Sequence, residues 1–240
     1  MTKSPFGRRR QARRHTRGEK FCLFGRLLAS LDGGATLSRA QAGPAGGGRW
    51  ADGCRHVFLD VGANLGVQTR KLFEPEAYPH VRSAAHGHNF SWVEAFAREL
   101  GPARDDVCAF AFEANPAHTR RLRSLEACYA KRGWRAVLFA ETAVAPRNGS
   151  VHFFADPVNA AKEQWAASLF RHGRHGGSMP QHSVAAIDLA AWVRYHVLQR
   201  AIPPPRPRTS GRGEGSGEGG AVRPPKVLMK VWLPARHANF

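Results

Sequence analysis

The residues in this chain most able to do chemistry are spaced along Asp60-x-Gly62-x-Asn64-x-Gly66, with a second acid, Glu113, further on. A dinucleotide fingerprint, G-x-G-x-x-G, presses a pyrophosphate against bare backbone. Here an acid precedes the first glycine, and the middle position is Asn64, whose amide both donates and accepts. That set suits a zwitterionic amino-acid end better than a phosphate: the acid holds an ammonium group directly or through water, and turn amides hold a carboxylate. The methionine half of S-adenosylmethionine has this form. The alternative is an ordinary strand-to-helix turn.

The elements that must position these residues are legible around them. Val57, Phe58, Leu59 and Val61 suit a buried strand, the glycine-rich stretch is a tight turn, and Val67 to Phe73 starts a helix. In an α/β sheet this junction lies at the carboxyl edge, where a nucleotide-like ligand binds. A second apolar run, Cys108 to Phe112, ends in Glu113 and is followed by Asn115-Pro116 opening a helix. A carboxylate at the end of a second strand is placed to accept ribose hydroxyls.

Together, DVGANLGVQT and FEANP resemble the FkbM-type S-adenosylmethionine-dependent methyltransferases, whose pattern is close to DVGANxGxxT and FEPNP; Ala114 replaces the usual proline. The resemblance covers roughly residues 55 to 230 in pieces. It implies an α/β fold with a Rossmann-like class I methyltransferase sheet, and S-adenosylmethionine bound by Asp60, Gly62, Asn64, Gly66, Thr69, Glu113 and Asn115. It also puts Glu141 and Thr142, after the third strand, beside the adenine; a strand end with a solvated acid is the alternative there. The implied reaction is O-methylation of a hydroxyl on a small molecule or a sugar.

The 240 residues suffice for one α/β domain with extensions. No apolar run approaches the ~20 residues needed to cross a bilayer. The net charge of +18 invites a nucleic-acid reading. Its densest part is the first 20 residues, with Lys3, Arg8, Arg9, Arg10, Arg13, Arg14, Arg17 and Lys20 against Glu19. Neither an RNA-binding signature nor zinc-finger spacing accompanies it, so a basic tail on an enzyme accounts better for the charge. A non-catalytic remnant of the fold that binds nucleic acid through this arm is the rival; its binding would be steeply salt-dependent and lost on deleting residues 1 to 20.

Cys22, Cys54, Cys108 and Cys128 occur singly, which fits a reducing compartment and buried thiols. Two sequons, Asn89-Phe90-Ser91 and Asn148-Gly149-Ser150, matter only in a secretory protein. A soluble intracellular protein is expected, with the acid-poor basic arm as a possible organellar signal.

In chain order, residues 1 to 49 read as a disordered or targeting arm followed by a Gly/Ala linker, and the domain starts near Trp50. Gly66 and Glu113 are 47 positions apart where about 20 is usual, so residues 74 to 106 form an insert. It carries a helix from Ser91 to Leu100 with Ser91 as N-cap and Glu94 at the capping-box position. His86 and His88 in it have no partners at ligand spacing, so no metal site is expected. Pro116 to Arg132 is helical with Leu122, Leu125 and Tyr129 on one face, and Trp134 to Ala140 is the third strand. Arg147 to Ser150 is a turn and Val151 to Ala155 a strand. A loop from Asp156 to His182 holds Trp165, a candidate to pack over the site. A helix resembling the family's IDL-x-x-W element runs from Ile187 to Leu198.

Residues 203 to 225 read as a flexible linker before a short strand, Lys226 to Lys230. The family follows this strand with an acidic D-x-E-G segment facing the acceptor; here Val231-Trp232-Leu233-Pro234 stands instead, and no general base emerges. The expectation is a sheet cut short after its fourth core strand, which would leave that strand as an exposed edge.

Overall fold

The computed structural model describes residues 38–78, 91–101, 104–155, 169, 181–204 and 224–231. His86, His88, Trp165, Asn89 and Phe90 of the first sequon, the basic arm and most of the expected linker lie outside them.

Three apolar runs form parallel strands: β1 (His56–Val61), β2 (Val107–Glu113) and β3 (Arg135–Ala140). Every residue of β1 and β2 is buried, as expected of strands covered on both faces. Alternation divides their side chains between two cores. Val57, Leu59, Phe110, Phe112 and Phe139 pack with Trp50, Trp192 and Val197 on one face. Phe58, Ala109, Ala111 and Leu138 pack with Phe73, Phe96, Leu122, Leu125 and Tyr129 on the other.

Helices α2 (Val67–Phe73) and α3 (Trp92–Leu100) lie between β1 and β2, and α4 (Thr119–Lys131) between β2 and β3. The Ser91 hydroxyl accepts the Glu94 N–H as the N-cap of α3. Leu122, Leu125 and Tyr129 are the buried face of α4, at the expected spacing. The Tyr129 hydroxyl donates to the buried Glu74 carboxylate over 2.7 Å, and burial first, then Glu74, raises its pKa far above the usual phenol value.

The last described strand, β7 (Val227–Val231), pairs parallel with β1, giving the order β3-β2-β1-β7. This four-stranded parallel sheet bears out the α/β expectation. β7 stands at its edge, and Val227, Met229 and Val231 are 41–49% exposed.

A second sheet has the order β4-β6-β5, from β4 (Thr142–Ala145), β5 (Gly149–Phe154) and β6 (Gln181–Asp188). β6 corrects the reading of residues 187 to 198 as one helix. Ile187 belongs to the strand, and the helical segment is α5 (Leu189–Val193) continued by a π-helical stretch, Arg194–Leu198. Asp188 ends the one element and caps the other, accepting the Ala191 N–H over 2.9 Å.

Two further expectations fail. The Gly/Ala stretch contains a short helix, α1 (Arg39–Ala42), whose Ala40 is buried and accepts the Trp192 indole N–H. Ordered structure therefore begins before Trp50. The described cysteines are not free thiols: Cys54 and Cys108 are bonded to each other, and Cys128 is likewise oxidised. The start of β1 and the start of β2 are neighbours in the sheet, which brings these two distant cysteines together.

No helix among the described residues is long and apolar enough to cross a membrane.

Candidate functional site

The backbone after β1 explains the spacing of the first motif. Gly62, Asn64 and Gly66 have φ of +68°, +52° and +73°. Three alternate residues thus enter the left-handed region, where glycine is unpenalised and asparagine is among the best tolerated side chains. At Gly66 the constraint is doubled: a Cβ would lie 2.8 Å from Leu125 Cδ2.

The amides of this turn are committed within the chain. Gly62 and Ala63 N–H both donate to Phe112 O, Asn64 N–H to Glu113, Leu65 N–H to Asn64 Oδ1 and Gly66 N–H to Ala63 O. The expectation that turn amides hold a ligand carboxylate is therefore not met in this conformation; they fasten the turn to the end of β2.

Asp60 differs similarly from its expected role. Its carboxylate has no exposed surface. Oδ2 accepts the Thr69 hydroxyl over 3.2 Å, and Oδ1 lies 3.0 Å from Lys230 Nζ. The ammonium that Asp60 holds is the chain's own. Lys230 Nζ also donates to Gly62 O over 2.7 Å and to Val61 O over 3.3 Å, so one cation from β7 binds both the acid and the carbonyls of the turn. Burial raises the Asp60 pKa, and Lys230 and Thr69 act against that rise. Lys71, buried on α2, is pushed down by burial and supported by the charge of Asp60.

Glu113 joins the two motifs. Its Oε2 accepts the Asn64 N–H over 2.6 Å and its Oε1 the Asn115 N–H over 2.8 Å, with His118 Nδ1 at 3.8 Å. Its side chain keeps 10% of its surface exposed. A carboxylate oxygen has two lone pairs, so each oxygen retains capacity after one amide bond. Asn115 in turn caps the helical turn at Pro116–His118, its Oδ1 accepting the Ala117 N–H.

Beyond the third strand, Glu141 adopts φ +54° and accepts the Thr119 hydroxyl at the start of α4 over 2.9 Å. It thereby joins the end of β3 to the helix that follows Asn115. Thr142 is buried as the first residue of β4, with its hydroxyl donating to Ala140 O.

The structure thus groups Asp60 with Thr69, and Asn64 with Glu113 and Asn115. Glu141 adjoins the second group through Thr119, whereas Thr142 faces its own backbone. Sequence reasoning missed the role of Lys230. The signal needs the strand pairing: β1 and β7 each carry one charge in an apolar stretch, and only their register shows these to be the paired positions Asp60 and Lys230. Among the described residues no cluster of three or more His, Cys, Asp or Glu side chains suits a metal ion.

The arrangement places one largely buried acid, Glu113, at a glycine-bearing turn on the carboxyl edge of adjacent parallel strands, with the exposed Glu141 adjoining it through Thr119. No family model matches this chain, and comparison with curated proteins and with solved structures finds no match either.

Proposed function

We propose that this chain is an S-adenosylmethionine-dependent methyltransferase that acts on a hydroxyl of a small molecule or sugar. The observation that carries the reading is Glu113, a carboxylate at the end of β2 whose oxygens are oriented by the amides of Asn64 and Asn115 and still have lone pairs to offer. A pair of adjacent ribose hydroxyls is a natural donor set for such an acid, and the crevice at the carboxyl ends of parallel strands is where such ligands bind.

When bound, S-adenosylmethionine supplies an electrophilic methyl group on a sulfonium. The residues of this chain fit the ribose half of that cofactor directly through Glu113. Toward the amino-acid half they act by shape: Asp60, Thr69 and Lys230 hold the Gly62–Gly66 turn from behind. Glu141, which accepts the Thr119 hydroxyl, is our candidate to meet an adenine edge. Transfer to an acceptor oxygen is an in-line displacement, so the chain's principal contribution is alignment of the two reactants.

Calorimetric titration of the folded full-length chain with S-adenosylmethionine tests this reading. Binding is expected, with affinity falling at least about tenfold in Glu113→Gln, since a charged acceptor of hydrogen bonds contributes about 1.5 kcal/mol or more. A folded chain that does not bind, or a Glu113→Gln variant that binds as tightly as the parent, overturns it.

A further inference from the structure

One sequence motif plays no part in the proposed site. Asn148 is the last residue of the turn between β4 and β5, Gly149 and Ser150 open β5, and all three residues are exposed. We propose that Asn148 carries an N-linked glycan, added in the oxidising lumen of the secretory pathway.

Three observations carry this. The first is orientation. Asn148 Oδ1 accepts the Asp188 N–H over 2.8 Å, so the amide oxygen faces the protein and Nδ2, the atom that bears a glycan, is the other arm of an exposed side chain. Substitution on Nδ2 leaves that hydrogen bond intact. The second is space. Gly149 has φ +152°, and a Cβ built there meets nothing within 4 Å. The backbone beside Asn148 is uncrowded, as a bulky surface modification requires. The third is independent of the turn: the Cys54–Cys108 disulfide has both residues within the core, 1% and 3% exposed. Disulfides of this kind form in oxidising compartments and are rare in the cytosol. The compartment that explains the bond is also the one in which Asn-x-Ser triplets are glycosylated.

The step balances with a polyprenyl-pyrophosphate-linked oligosaccharide as the donor. Asn148 Nδ2 forms a bond to the anomeric carbon, the bond from that carbon to the pyrophosphate oxygen breaks, and the pyrophosphate leaves with the electron pair. The amide loses one proton. In the folded chain the Ser150 hydroxyl lies 2.7 Å from that of Ser183 on β6, so the transferase reads Ser150 before β5 and β6 pair. The proposal does not rest on the cofactor reading.

The full chain is expressed in a eukaryotic cell, purified and treated with a peptide-N-glycosidase in heavy-oxygen water. The expected result is a heavy Asp at position 148 in the peptide map, together with an increase in gel mobility of the intact chain. Both are lost in Ser150→Ala, which keeps Asn148 and its bond to Asp188. Asn-Gly pairs also deamidate without any glycan, so a heavy mark that persists in Ser150→Ala with no mobility change overturns the proposal. A peptide spanning residue 148 recovered wholly unmarked overturns it too, as does a glycan found at Asn89 alone.

Discussion

Replacing Lys230 by methionine removes the cation from a carboxylate that has no contact with solvent. Losing one partner of a buried pair is costly because the other charge is left behind. The expected destabilisation is about 3 kcal/mol, at the low end for such pairs because the ammonium of Lys71 still acts on Asp60. Urea unfolding measures it, and Asp60→Asn in the same chain should restore most of the loss. The variant also acquires a pH signature. The Asp60 pKa in the fold is already raised above its unfolded value, so the folded state binds the proton more tightly, and stability falls as pH rises through that interval. Without Lys230 the interval widens upward, and the deficit of the variant should be smaller at mildly acid pH than at neutral pH. The acid itself was legible in the sequence; its partner was not. A lone lysine in a short apolar strand, 170 positions from its counter-ion, announces itself only when the two strands are placed side by side.

At the scale of elements, the turn into α2 depends on backbone geometry that one residue can break. Gly66→Ala places a side chain at φ +73° and against Leu125 Cδ2. The left-handed conformation alone costs about 1–2 kcal/mol, which denaturant unfolding will show as a lower midpoint with an unchanged slope. Asp52 offers a second element-level test. Its Oδ1 accepts the Ala201 N–H and its Oδ2 the Arg49 N–H, tying the segment before β1 to the one after the α5 region. These backbone bonds lower its pKa. A carboxylate with a lowered folded value contributes stability that is whole above its ordinary pKa and is lost as pH falls through the folded one. The stability gap between the parent and Asp52→Asn should therefore close on acidification, as followed by thermal unfolding across pH.

The long buried elements were readable because their patterns have one explanation: continuous apolar strands for β1 and β2, and a three-four spacing for α4. β6 was hidden for physical reasons. Its first three residues are polar and exposed, its buried positions include the small Ala186, and Asp188 reads as a helix cap. It is one, but an N-cap residue has extended backbone, here φ −71° and ψ 100°, and so serves equally as the last residue of a strand. α1 was hidden by composition, since a Gly/Ala-rich stretch gives no periodic signal, and Ala40 is buried for its small size beneath Trp192.

At the scale of the whole molecule, the Cys54–Cys108 bond closes a loop of 54 positions. By the chain-entropy relation such a closure stabilises by about 4 kcal/mol through the unfolded state. Cys54→Ser/Cys108→Ser should lose roughly that amount in urea unfolding under oxidising conditions, and parent and variant should converge once both are reduced, which also opens the bond at Cys128. Single cysteines this far apart gave no sign of pairing; strand order made them neighbours. The motif turn belongs to the same scale, since its amides rest on β2, its acid on β7 and its glycine on α4.

Lys230 lies on the last described strand, and this sets an order of events during synthesis. When the ribosome has made the chain as far as the Pro/Gly-rich stretch, both motifs already exist, yet Lys230, the cation that binds Asp60 and the carbonyls of Val61 and Gly62, has not been made. A nascent chain can lay down β1, β2 and β3, but the turn between β1 and α2 is completed only when Lys230 emerges and β7 docks beside β1. The first motif to be translated is thus among the last to take its final form.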